Sequence, residues 1–273
     1  MYDLHTHTTH SDGKHSVDEM CRTAIEKGLR GIAITDHADM NVFEERDTLN
    51  RMTRAVADYR RAKEEFRDSL TVLCGVELGE YLLAPEKAEQ VLAIEGLDVV
   101  IYSEHFVPAA RWDQPYSRIK FDDSDITDTE IDDYMAEYFK VIADTVDKFD
   151  FDVLGHLSCP ARYITGRYHR PTNIMRYRDT ITHILKTIVK RDIALELNTC
   201  GKCCESFSHY DAQNEELLAM YAFLGGKKVT LGSDAHNIIG IGRGFADAKA
   251  LLRSYGFDRY CYYQNRKPVE VLL

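Results

Sequence analysis

Hydrophobic and polar positions along the 273 residues follow two alternating patterns, a short β-branched run and then a longer amphipathic one. Seven short runs, at residues 2–5, 31–35, 71–77, 99–103, 153–156, 194–198 and 229–233, predict strands. The stretches 16–27, 45–66, 128–148, 173–190, 212–223 and 244–254 carry apolar residues at helical spacing and predict helices. Ser16 followed by Glu19 is a capping-box signature, and Asp128, just ahead of Glu130 and Asp132, marks another helix start. Strand and helix alternating in this way predict parallel strands joined by crossover helices. No linker rich in Pro, Gly or Ser, no low-complexity stretch and no fixed-period repeat interrupts the pattern, so residues 1–273 read as a single domain. A last run at 259–263 is expected to pack at the rim or add a strand.

The strand ends decide between an open sheet and a barrel. An open sheet gathers functional residues at one switch point, whereas a barrel collects them from the C-terminal ends of many strands. Here all seven runs end in ligand-type residues. In order they are His5-Thr6-His7 with Asp12 shortly after, Thr35-Asp36-His37, Gly75-Val76-Glu77, Ser103-Glu104-His105, Gly155-His156, Glu196-Leu197-Asn198-Thr199 and Gly232-Ser233-Asp234-Ala235-His236. In extended chain, residues i and i+2 share a face, so His5 with His7, and Asp234 with His236, converge pairwise. Imidazole and carboxylate without thiolate suit Zn, Mn or Fe. A single His-x-His is weak evidence, since buried histidines satisfied by hydrogen bonds are more common. Seven independent coincidences at seven strand ends are far less plausible, and the metal reading prevails.

Charge narrows the partner. The formal net charge is −11, from 45 acidic and 34 basic residues, which repels nucleic acid and anionic membrane and points to a small-molecule substrate. No segment approaches the roughly 18 apolar residues of a membrane span. The N-terminus shows no basic-then-apolar leader, and the seven scattered cysteines are expected to be reduced thiols in a cytoplasmic protein.

Taken together in this order, His5-Thr6-His7-Thr8, Ser11-Asp12-Gly13, Ile34-Thr35-Asp36-His37, Gly75-Val76-Glu77, Ser103-Glu104-His105, Gly155-His156 and Gly232-Ser233-Asp234-Ala235-His236 resemble the PHP (polymerase and histidinol phosphatase) superfamily over nearly the whole chain. The resemblance implies a distorted (β/α)7 barrel holding three divalent metal ions. Carried over position by position, His5, His7, Glu77 and Asp234 would hold the first, with Glu77 bridging to a second completed by His105 and His156. Asp12, His37 and His236 would hold the third. Such a cluster suits phosphate monoester hydrolysis, one of the slowest uncatalysed reactions, through a metal-activated hydroxide. Asp234 or His236 would handle protons near the leaving group.

Three stretches resemble the histidinol-phosphatase branch of that family, and a hydrolase acting on histidinol phosphate in histidine biosynthesis is the expected activity. In the stretch from Gly155 to Tyr163, Arg162 occupies the place of an arginine that grips substrate phosphate. The stretch Glu196-Leu197-Asn198-Thr199-Cys200-Gly201-Lys202 resembles an Asn-Thr-Ala-Gly segment followed by basic residues, and Asn265-Arg266-Lys267-Pro268 resembles the usual chain end. Lys202, and Arg243 ahead of a helix whose backbone N–H groups favour anions, are further phosphate candidates. Glu104, Ser158 and the loop 108–116 with Trp112 depart from the branch, which keeps a phosphoesterase for a nucleotide or sugar phosphate as the alternative. A non-catalytic metal-binding accessory module predicts lost ligands, and none is lost here.

The remaining candidates carry less. Cys200, Cys203 and Cys204 lack a second pair to complete a zinc site, and read as structural or incidental thiols. His10 and His15 read as outer residues around the first loop, although either could replace Asp12 at the third metal; His169, His183 and His209 have no motif around them. The acidic run from Asp122 to Asp125 reads as a solvated loop.

Overall fold

The computed structural model describes residues 1–108, 112–200 and 211–273, the last segment with side chains from residue 215 onward. Eight parallel strands make one sheet: β1 (Tyr2–Asp3), β2 (Gly31–Ile34), β3 (His37–Asp39), β4 (Thr71–Gly79), β5 (Val99–Ser103), β6 (Val153–Leu154), β7 (Ala194–Asn198) and β8 (Val229–Gly232). The order is β1-β2-β4-β5-β6-β7-β8, with β3 also paired to β4. Ile34 pairs with Cys74 and His37 with Glu77, an offset of 40 in both cases, so β3 continues β2 after a break at Thr35–Asp36. The seven-strand expectation therefore survives as seven strand positions, one of them interrupted.

Closure comes from the first and last strands. Leu4 N–H donates to Leu231 O at 2.9 Å, Asp234 N–H to His5 O at 2.8 Å, and His7 N–H to Ala235 O at 2.9 Å. With both edges joined, the sheet is a nearly closed barrel. β2, β5, β7 and β8 are buried along their whole length, as parallel strands covered by helices must be.

The helices form where spacing and caps predict them, with small corrections at the ends. α1 (Val17–Glu26) starts from the Ser16–Glu19 capping box and buries Val17, Met20, Cys21 and Ala24 on one face. α2 (Thr48–Glu65) follows, and then α3 (Pro85–Leu92), an element not read from the sequence, with proline in its first turn where no N–H is needed. α4 (Asp128–Val146) starts at Asp128 as expected and is capped by Thr127, whose hydroxyl accepts from Glu130 N–H. A short α5 (Cys159–Ala161) runs into a π-helical turn, Arg162–Arg167. The helix expected from residue 173 begins as a 3-10 turn, Ile174–Tyr177, before α6 (Arg178–Lys190). α7 (Asp211–Phe223) and α8 (Phe245–Ser254) complete the outer layer.

The C-terminal run is an antiparallel hairpin, β9 (Arg259–Gln264) with β10 (Lys267–Leu272), rather than one added barrel strand. It closes the bottom of the barrel. Tyr262 stacks on Tyr2 with ring centroids 4.0 Å apart, Tyr263 OH donates to Asp152 O at 3.0 Å, and Asn265 N–H donates to Asp98 Oδ1 at 3.0 Å. Asp98 and Asp152 precede β5 and β6, so the opposite, C-terminal mouth is left for chemistry. Among the described residues no helix is long and apolar enough to cross a membrane.

Candidate metal centre

The break in β2 builds the first part of the site. Asp36, buried at the break, accepts from Thr8 N–H at 2.7 Å, Thr8 Oγ1 at 2.6 Å, Ser11 Oγ at 2.5 Å and Tyr59 OH at 2.5 Å. A carboxylate with that many donors is fully engaged. It folds the loop after β1 back over the barrel mouth, carrying Asp12 to within 3.0 Å of His236 Nε2 and 3.5 Å of His37 Nε2. The sequence reading placed Asp36 within a motif without seeing that it is a scaffold for that loop.

Glu77, buried at the centre, is surrounded by imidazoles from other strands. His156 Nε2 lies 2.8 Å and His5 and His105 Nε2 each 3.3 Å from Glu77 Oε1. On the other oxygen, His37 Nδ1 lies at 2.9 Å and His7 Nε2 at 3.5 Å, and His7 Nε2 also approaches Asp234 Oδ1 at 3.4 Å. All nine side chains expected to ligate metal are thus brought to one mouth. Their ligand atoms fall into compact sets: His5, His7 and Asp234; His5, Glu77 and His156; His37, Glu77 and His105; and His7, Asp12, His37 and His236. A further set, Asp39, Glu80 and His105, was not anticipated. It arises from the unexpected β3 and from the left-handed backbone of Glu80 (φ 54°), whose carboxylate accepts His105 N–H at 2.8 Å and Phe106 N–H at 3.1 Å.

The electrostatics call for added positive charge. Burial alone would raise the Glu77 carboxyl; the charges of His5, His105 and His37 outweigh it and hold the group well below the usual carboxylate range. Asp234 is depressed in the same way against burial, by the close approach of His7 and the charges of His5 and His236. His7 is lowered as well, to about 3, by its burial and by the charges of His236 and His37. Glu77 Oε2, His5 Nε2 and His7 Nε2 are buried with no aligned hydrogen-bond partner. Inward-facing lone pairs of this kind are costly when nothing is bound and natural as ligands to a cation. The donor set, imidazole and carboxylate, fits divalent Zn, Mn or Fe.

Beside this cluster is a cavity of about 250 Å³, lined among others by Glu77, Asp234, His236, Tyr116, Tyr163 and Arg162. Arg162 is 2% exposed, its Nη2 donating to Asn198 Oδ1 at 2.7 Å and its Nη1 lying 3.5 Å from Asp234 Oδ2. Cys159 also lines the cavity; burial raises its thiol, but the charges of Arg162 and His156 bring it down to about 7. Arg46 and Arg118, exposed at the mouth, were not singled out from sequence because neither sits at a strand end. Arg243 does not reach this cavity: it is exposed and lines a neighbouring one, behind Asp234 and His236. Lys202, Cys203, Cys204 and His209 lie outside the described residues. No disulfide joins the described cysteines to one another. His10 faces Asp58 at 3.1 Å, and His183 faces Asp147 at 3.1 Å, both away from the cluster. Glu104 turns away to accept from Tyr102 OH at 2.8 Å, and burial pushes its carboxyl up to about 8.

The family model described as PHP domain matches residues 3–200. A probable histidinol-phosphatase of Thermotoga maritima is 27% identical over 275 aligned positions, covering 100% of each chain. A histidinol-phosphatase of Lactococcus lactis is 26% identical over 270 positions, covering 97% of this chain and 94% of that one. The crystal structure of histidinol phosphate phosphatase from Lactococcus lactis, complexed with zinc, L-histidinol and phosphate, superposes with a TM-score of 0.75 at 24% identity over 98% of both chains, a likeness of fold. A matched stretch that runs from β1 to the end of β7, through a barrel whose strand ends converge on Glu77, places this chain in the PHP domain family.

Proposed function

We propose that the chain, as one phosphoesterase domain, is a metal-dependent phosphomonoester hydrolase that converts L-histidinol phosphate and water to L-histidinol and phosphate. The observation that carries the reading is the convergence of nine ligand-type side chains, Glu77 at their centre, with a buried guanidinium, Arg162, lining the same cavity. His5, His7, Glu77 and Asp234 would hold one ion, Glu77, His105 and His156 a second, and Asp12, His37 and His236 a third. Divalent ions bound there supply an activated water and neutralise phosphoryl charge.

The chain's own groups do the rest. Arg162 offers two parallel N–H donors, the geometry that suits a phosphate. Asp234 or His236, at the cavity wall, would handle protons near the departing alkoxide. Tyr116 and Tyr163, with ring centroids 5.4 Å apart, present aromatic faces to whatever the phosphate is attached to. Such faces suit a planar ring, and the relatives named histidinol-phosphatase make the imidazole of histidinol the first choice. The second reading, a phosphate ester carrying another anionic group such as a nucleotide or sugar phosphate, is favoured by Arg46 and Arg118 at the mouth. A turnover screen of metal-loaded protein on histidinol phosphate and a panel of other phosphomonoesters separates the two. A kcat/KM for histidinol phosphate no higher than the panel's would reject the first.

A further inference from the structure

Two buried side chains of β7 connect the metal centre to Arg162. Glu196 and Asn198 stand at i and i+2 of that strand and so share a face. Glu196 Oε1 accepts from His5 Nδ1 at 2.7 Å, while its Oε2 accepts from His156 N–H at 2.8 Å and from Asn198 Nδ2 at 3.1 Å. Asn198 Oδ1 in turn accepts from Arg162 Nη2 at 2.7 Å and from Cys200 N–H at 3.0 Å. Room for this chain is made across the barrel: a Cβ on Gly232 would collide with Glu196 Oε1 and His5 Cβ.

Each link is oriented by its neighbours. With a carboxylate on one side and a guanidinium on the other, the Asn198 amide has one favourable orientation; flipped, it would set NH2 against guanidinium and C=O against carboxylate. His5, giving its Nδ1 proton to Glu196, must turn the Nε2 lone pair inward toward Glu77, which is the ligating tautomer. We propose that Glu196 and Asn198 are positioning residues, a buried relay that sets the His5 imidazole and the Arg162 guanidinium in register with each other. Glu196 acts on metal affinity through His5, and Asn198 acts on phosphate through Arg162. The Asn198 arm rests on the phosphatase reading above; the Glu196 arm needs no substrate.

The test uses the full chain and four proteins: wild type, Glu196→Gln, Asn198→Ala and Arg162→Ala, with the Asn198→Ala/Arg162→Ala double variant closing a cycle. Zinc affinity of metal-free protein is measured by competition with a chromophoric chelator, and affinity for inorganic phosphate by titration of the zinc-loaded form. Glu196→Gln should weaken zinc about 10–100-fold, as loss of a metal-orienting partner does. Asn198→Ala should leave zinc affinity within about twofold and weaken phosphate about tenfold, the scale of a lost hydrogen bond to a charged group. In the Arg162→Ala background the same change should cost nothing more, because the group it positions is gone. Unchanged zinc affinity in folded Glu196→Gln overturns the first arm, and a full additional loss in the double variant overturns the second. Melting of the metal-free variants checks folding, with Asn198→Ser in reserve should alanine not be tolerated. A wild type that binds zinc and phosphate but hydrolyses no phosphomonoester refutes the functional reading and leaves both arms readable, since neither measurement needs turnover.

Discussion

His156 Nε2 and Glu77 Oε1 meet at 2.8 Å, although they come from two different strand ends and are 79 residues apart in the chain. The other oxygen of the same carboxylate faces His37 Nδ1 at 2.9 Å. One anion thus has imidazoles on both of its oxygens, the arrangement of a bridging ligand shared by adjacent cations. That single relationship organises the behaviour expected of the protein.

Chelation should abolish turnover, and restoring Zn, Mn or Fe should recover it. Elemental analysis of well-loaded protein should approach three ions per chain, and anomalous diffraction should locate them among His5, His7, Glu77, Asp12 and Asp234. Finding no ion beside His5, His7 and Asp234 would remove the mechanism.

Glu77→Gln preserves shape and removes the charge at the centre of the cluster. Metal content should drop, and kcat should fall by several orders of magnitude because activation of the attacking water would depend on the ions that Glu77 would help hold. Near-normal kcat would mean that the ligands are wrongly assigned. Mass spectrometry under native conditions gives the metal count alongside the kinetics.

Arg162→Lys should be impaired and Arg162→Ala more so, with metal content intact, since an ammonium cannot supply two parallel donors. A loss confined to KM means that Arg162 holds phosphate equally in ground and transition states; a loss in kcat means that it meets charge developing in the reaction. Unchanged kcat/KM in Arg162→Ala would exclude the phosphate contact.

Arg266→Ala tests the bottom of the barrel. The Arg266 guanidinium pairs with the buried carboxylate of Asp152, which also accepts Val100 N–H at 2.8 Å. Burial already pushes the Asp152 carboxyl up from 3.8 to about 6 despite Arg266, so its ionisation costs the folded state stability as pH rises through that window. Without Arg266 the folded pKa rises further, so the variant's deficit should be small near pH 4 and grow to about 1 kcal/mol near pH 7. Urea melts at both pH values measure it, with turnover per folded molecule unchanged. A pH-independent difference would contradict this account.

The sequence alone determined the barrel and the convergence of the candidate ligands, because both are written locally. Burial of parallel strands demands continuous apolar runs, and each run that ends in His, Asp or Glu delivers that residue to the same mouth once the strands are parallel. His5, Glu77 and His156 were legible for that reason, and Arg162 through its place after His156. Contacts made at long range were not legible. The turn of Asp36 that holds the Asp12 loop depends on Tyr59 in α2, 23 residues away. The Asp39–Glu80–His105 set depends on a strand break and a left-handed residue that no hydrophobic period reveals. Arg243 read along the chain as a weaker candidate than Arg162, and in the fold it lines a neighbouring cavity instead. Glu196 and Asn198 read as two more polar residues at a strand end, and their pairing with His5 and Arg162 required the closed barrel. Tertiary structure decided these points because a side chain's role at the mouth depends on which strands flank its own, and closure alone sets that.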